Sequence, residues 1–294
     1  TRAGRRGTGR TGADGGWAAQ EGDFRVKFWG VRGSIACPGP QTLRYGGNTA
    51  CVEVRCGGCL IVLDAGTGLR ELGLELAKHG PVTGDLYLTH THYDHVCGLP
   101  FFAPAFNPAS ELRIWAGHLT PQANLCNTLR EMMRPPLFPV PIEIFRARIS
   151  YNDFVVGETL RPHEDVTIRT APLYHPDGST GYRVEYAGKA VCYVTDTGHV
   201  PGQLDRNILR LIRGADIVIY DSMFTEAEFA ERPGWGHSTW NQGVRLCDAA
   251  GAKRLVTFHH DPERDDDALD AIAAELEQAR PGSLVAREGL VLTP

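Results

Sequence analysis

Six consecutive residues, His90-Thr91-His92-Tyr93-Asp94-His95, carry three imidazoles and one carboxylate. They follow an apolar run, 85–89, that reads as a strand. Residues two apart on a strand point to the same side, so His90 and His92 face one way, and Asp94 and His95 follow in the turn. Imidazole together with carboxylate suits zinc, manganese or iron. A polar strand end that gathers four such groups by chance is a poor competing explanation. Whatever fold the chain adopts, it has to present this strand end to a cation.

The 294 residues make one large domain or two small ones, and 42% hydrophobic with 22% charged residues is ordinary for a soluble globular chain. No apolar run is long enough for a transmembrane helix. Residues 1–22 hold Arg2, Arg5, Arg6 and Arg10 against Asp14 and Glu21, with no apolar period, and read as a disordered leader or an expression remnant. The whole chain carries a net charge of −5, and setting aside that segment's net +2 leaves −7 on residues 23–294, which form the expected folded domain. A broad basic face for long nucleic acid is not indicated. The eight cysteines are scattered and read as reduced thiols of a cytoplasmic protein. Cys56-Gly57-Gly58-Cys59 reads as a tight hairpin turn, since no second C-x2-C follows to complete a zinc ribbon.

Strands are expected at 24–29, 50–55, 60–64, 85–89, 111–115, 166–170, 182–186, 190–195, 215–220 and 253–258. Helices are expected at 68–79, 121–134, 203–213, 238–250 and 265–279, and the prolines of 135–141 mark a rigid loop inside the domain. Strands and helices in both halves suggest α/β layers.

The motif His90-x-His92-x-Asp94-His95 resembles the signature of the metallo-β-lactamase fold hydrolases. The segment Leu60-Ile61-Val62-Leu63-Asp64-Ala65-Gly66-Thr67-Gly68 is similar to that family's first motif, in which the Asp supports a ligand without binding metal. His175, Asp196 and His259 fall at the places of its later motifs, with His260 as the alternative to His259. The first residue off the strand is favoured, hence His259. The resemblance spans roughly 24–294 and implies an α/β fold, a four-layer αββα sandwich. It also implies two divalent ions, zinc first and manganese or iron as alternatives. His90, His92 and His175 would hold one ion, Asp94, His95 and His259 the other, and Asp196 would bridge them around a hydroxide.

Asp221, at the end of Ile217–Asp221, and His237, in Gly234-Trp235-Gly236-His237-Ser238-Thr239, look like the carboxylate–histidine pair of the phosphodiesterase branch, which includes ribonuclease Z and cyclic-nucleotide phosphodiesterases. Ribonuclease Z has Glu where Asp221 stands. The resemblance gives His237 the role of general acid, oriented by Asp221, with Asp94 completing the catalytic set. It implies cleavage of a phosphodiester in a small anionic substrate such as a cyclic nucleotide. The same metals would also suit a lactonase or thioesterase, a mononuclear iron thiol oxidase is a third option, and a non-catalytic binding module a fourth. No Gly- and Lys-rich arm of the kind that grips tRNA is present, no membrane partner is expected, and a homodimer is left open. Arg32, Arg44, Tyr45 and Asn48, in Gly-rich loops, are candidate substrate contacts. His79, His118 and His163 read as surface residues, and His199 as a neighbour of the metal ligands.

Overall fold

A computed structural model describes residues 23–294; the reading of 1–22 as a leader lies outside the described residues. Two seven-stranded sheets face each other. The first runs, edge to edge, Val291–Leu292 (β14), Phe24–Gly30 (β1), Cys51–Cys56 (β2), Cys59–Leu63 (β3), Thr83–Leu88 (β4), Glu111–Ala116 (β5) and Arg148–Asp153 (β6). The second runs Leu284–Val285 (β13), Arg254–Phe258 (β12), Ile217–Asp221 (β11), Lys189–Val194 (β10), Ser179–Tyr186 (β9), Val166–Leu173 (β8) and Thr159–His163 (β7).

In β1, Phe24, Val26 and Phe28 alternate with half-buried Arg25, Lys27 and Trp29, so one face enters the space between the sheets. There it meets Ile61, Tyr182, Val191, Ile219 and Phe258 in a shared core. The inner strands β3 and β11 read as near-continuous apolar runs because helices cover their other face. Helices Gly68–Ala77 (α1) and Leu125–Met132 (α3) bury Leu69, Leu72 and Leu129 in a cluster with Leu86 and Ile114 of the first sheet. Arg206–Ile212 (α4), Trp240–Ala250 (α6) and Asp266–Ala279 (α7) do the same for the second sheet through Leu211, Leu246, Leu269 and Leu276. The result is the expected αββα order of layers. Two short helices, Tyr93–Val96 (α2) and Glu226–Glu231 (α5), lie in the connections.

The Cys56–Cys59 turn is a hairpin, with Gly57 at φ +57° and the two cysteines paired across β2 and β3. All eight cysteines are free. No helix among the described residues is long and apolar enough to cross a membrane. The expected helix 121–134 is shorter, Leu125–Met132, because Asn124 is its N-cap and accepts from the Asn127 N–H. Strands β6 and β7, the helix α5 and the two-residue strands were not expected from the sequence.

Pairs β3–β4 and β10–β11–β12 are parallel, so their C-terminal ends reach the same edge of their sheets. In open α/β sheets ligands gather at such ends.

Candidate metal centre

Asp64 follows β3, His90 to His95 follow β4, His175 follows β8, Asp196 follows β10, Asp221 ends β11 and His259 follows β12. Three of them hold the left-handed conformation: Asp64 at φ +62°, Asp196 at +57° and His259 at +59°. Such a conformation costs a non-glycine residue of order 1–3 kcal/mol and persists where the surroundings demand it. Here it turns the chain sharply off an apolar strand and leaves the polar side chain among its counterparts.

Donor atoms of His90, His92 and His175 lie within 4.8 Å of one another, and so do those of Asp94, His95 and His259. Asp196 faces both groups. Its Oδ1 is 3.8 Å from His90 Nε2 and from His175 Nε2, and its Oδ2 is 3.2 Å from His95 Nε2 and 3.3 Å from His259 Nε2. His90 Nε2 is buried with no hydrogen-bond partner. Burial and the neighbouring imidazoles hold His90 well below its usual pKa, so it is neutral. Burial would raise Asp94, but His95 and His259 hold it far below the usual carboxylate range. A neutral imidazole with an unspent nitrogen, beside ionised carboxylates, fits a divalent cation.

Asp64 organises the donors from beneath. Its Oδ2 is 2.8 Å from His95 Nδ1 and accepts from the Tyr193 hydroxyl at 2.9 Å. Thr89 donates to Asp64 from its backbone at 2.8 Å and from its hydroxyl at 3.0 Å. That hydroxyl then accepts from His90 Nδ1 at 3.0 Å, which assigns the proton to Nδ1 and directs the Nε2 lone pair into the site. His175 Nδ1 is fixed by the Gly236 carbonyl at 2.8 Å.

His237 Nδ1 lies 3.0 Å from Asp221 Oδ2, and its ring stacks 5.0 Å from that of His259. Asp221 also accepts from the backbone N–H groups of Asp196 at 2.9 Å and Ser238 at 3.1 Å, so its orientation is locked to the site. Burial lowers His237, but the charge and hydrogen bond of Asp221 win and raise its pKa to about 9.

A family model described as a beta-lactamase superfamily domain matches residues 60–260. The chain belongs to the beta-lactamase superfamily. Among relatives of this superfamily member, ribonuclease Z of Haloarcula marismortui is 22% identical over 88% of this chain and 95% of its own. Solved structures of similar fold include the metallo-beta-lactamase fold protein YhfI from Bacillus subtilis, with a TM-score of 0.67 at 18% identity over 93% of this chain and 100% of that one. A diphosphatase from the PhnP family gives 0.67 at 20% identity, over 92% of this chain and 98% of that one.

Several expectations for this superfamily member need correction. Arg32 is fully buried, and its guanidinium donates to the carbonyls of Gly46, Asp261 and Arg264. It pins the N-terminal loop to the segment after His260 and is not free for a substrate. Exposed Arg44 is paired with Asp267 and Asp270, Tyr45 donates to Asp270 at 2.8 Å, and Asn48 donates to Glu288 at 2.7 and 3.1 Å. This loop reaches the site through its backbone instead: the Ser34 N–H donates to Asp94 Oδ2 at 2.8 Å. His260 turns away to the Ala286 carbonyl at 2.9 Å, leaving His259 among the donors.

His118 and His163 are only partly exposed and each has a bonded partner. His118 is half-buried, 3.1 Å from the Thr91 hydroxyl, and burial takes its pKa down to about 4. His163 pairs with Asp85 at 3.0 Å. His199 stacks on Phe229 and bonds Ser238 at 2.8 Å, next to His237 but outside the donor groups.

Proposed function

We infer that this chain, a metal-dependent hydrolase by family and site, cleaves a phosphodiester in a small anionic substrate, of which a cyclic nucleotide is one example. The reading treats residues 23–294 as one catalytic domain in a cytoplasmic protein. His90, His92 and His175 would hold one divalent ion, and Asp94, His95 and His259 a second, with Asp196 between them; zinc is the first choice for this nitrogen and oxygen donor set. When bound, such ions supply Lewis acidity toward phosphoryl oxygens and activate water at neutral pH.

The observation that carries the reading is the Asp221–His237 pair, stacked against His259. Hydrolysis of an alkyl phosphodiester expels a poor leaving group, which needs a proton as the bond breaks. Asp221 raises the His237 pKa to about 9, and bound cations would lower it toward the working range. Asp221 keeps the charged form and fixes the ring. The names of relatives, ribonuclease Z and a PhnP-family diphosphatase, support a phosphorus centre over a lactone or thioester.

The net charge of −5 opposes a long polyanion, whereas the ribonuclease name favours one. Turnover of a cyclic nucleotide, bis(p-nitrophenyl) phosphate, a tRNA precursor and an aryl lactone by the metal-loaded protein tests the reading. Diester cleavage with little action on tRNA or lactone is expected. Efficient tRNA cleavage would overturn the small-substrate part, and lactone cleavage alone would overturn the phosphodiester reading.

A further inference from the structure

The helix α2 has two faces. Asp94 and His95 point to the metal donors, while Tyr93 and Val96 line a cavity of about 530 Å³. That volume is in the range of small-molecule sites. Its far walls are Leu129 and Met132 of α3 with Leu137 and Phe138 of the proline-rich loop. Tyr93, between a site His and a site Asp, is 73% exposed, and Leu137 is 84% exposed. Phe101 is also exposed, and its ring sits 6.0 Å from that of Phe138. Apolar side chains left open beside a polar site mark a binding surface.

Apart from the exposed Tyr93 hydroxyl, the polar side chains in the lining are already engaged. Thr91 is bonded to His118, the Thr128 hydroxyl donates to the Asn124 carbonyl, and Glu131 is paired with Arg134. No basic residue lines the cavity, so it offers no opposite charge to a phosphate. An anionic centre belongs at the metal donors, and what the cavity rewards is apolar contact.

We propose that this cavity takes the apolar arm of the diester, an aryl or medium-length alkyl ester group held by contact without hydrogen bonds. The proposal rests on the phosphodiester reading above and narrows it. A nucleobase, whose polar edge needs partners, gains less from these walls than a phenyl or hexyl group does. Each methylene buried contributes about fourfold in binding.

Two measurements on the metal-loaded protein test it. The first compares kcat/KM for methyl, hexyl and phenyl p-nitrophenyl phosphate. The second is calorimetric titration with 2-naphthol, which is neutral at pH 7 and needs no turnover. Hexyl and phenyl diesters should exceed the methyl diester at least tenfold, through KM. In Met132→Gln and Leu137→Ser, that ratio should fall toward one and naphthol binding should weaken at least fivefold. A flat ester series, or naphthol binding unchanged in both variants, overturns the proposal. Naphthol binding that the variants weaken, with no turnover of any diester, leaves the cavity standing and removes the phosphodiester reading instead.

Discussion

Asp64 Oδ2 sits 2.8 Å from His95 Nδ1, at the base of the site, and both side chains are fully buried. The same carboxylate takes the hydroxyls of Thr89 and Tyr193, so it orients two imidazoles and binds two neighbouring layers of the fold together. Asp64→Asn keeps the volume but places an amide N–H where an acceptor is required. Metal affinity should fall by about 10- to 100-fold, the usual cost of losing such a partner. Competition with a chelator, read by metal content, checks this, and thermal melting of the metal-free protein separates affinity from folding.

His237→Ala removes the proton donor and leaves the donor groups of His90 and His95 intact. Turnover of a diester with a poor alkoxide leaving group should fall by about 10²–10³, within the range of general acid catalysis, and an activated nitrophenyl ester by less than tenfold. Asp221→Asn should reproduce most of this loss. Because the pair acts as a unit, the double variant should be little worse than His237→Ala alone. Equal losses on both esters would remove the general-acid role.

Gly33 is a packing glycine. A Cβ there would lie 2.4 Å from the His259 ring and 2.5 Å from Met223 Cε. Gly33→Ala should displace His259 and, on the proposed two-ion reading, weaken metal binding at Asp94 and His95 first. Gly58→Ala, with nothing within 4 Å of its Cβ position, should leave metal content unchanged. Stepwise metal loss on dialysis against a graded chelator series reads the difference.

Asp216 gives a stability test far from the metals. Burial would raise its pKa, but Lys253 at 2.7 Å, the Ala190 N–H at 2.8 Å and Lys189 at 3.4 Å together lower it. A lowered folded-state pKa stabilises the protein above the unfolded value, and the contribution is lost as pH falls through the folded value. The natural protein should therefore exceed Asp216→Asn by roughly 0.5–1 kcal/mol at neutral pH, given solvent screening of the exposed lysines. Urea unfolding at neutral pH and at pH 3 should show the gap closing in acid.

Much of this architecture is legible in the sequence because its signals are local. The His90–His95 cluster, the apolar strands before Asp64 and Asp196, and the Gly57-Gly58 turn each declare themselves within ten residues. The edge strands do not. β6 has no buried residue, and β7 contains Pro162, so neither carries the pattern of a covered strand. Arg32 is illegible for a different reason: two of its three carbonyl partners are 229 and 232 residues away, and an arginine among glycines resembles an anion contact until those partners are placed. The contact of His118 with Thr91 spans 27 residues, too far for local patterning to show it. His259 and His260 are adjacent, and the left-handed turn at His259 decides between them.

Metal content by plasma mass spectrometry, paired with bis(p-nitrophenyl) phosphate turnover on the same preparation, tests the proposed two-metal phosphodiesterase. Two zinc or manganese ions per chain are expected, with turnover that falls in proportion as a chelator removes them. One iron per chain without diester cleavage would contradict it.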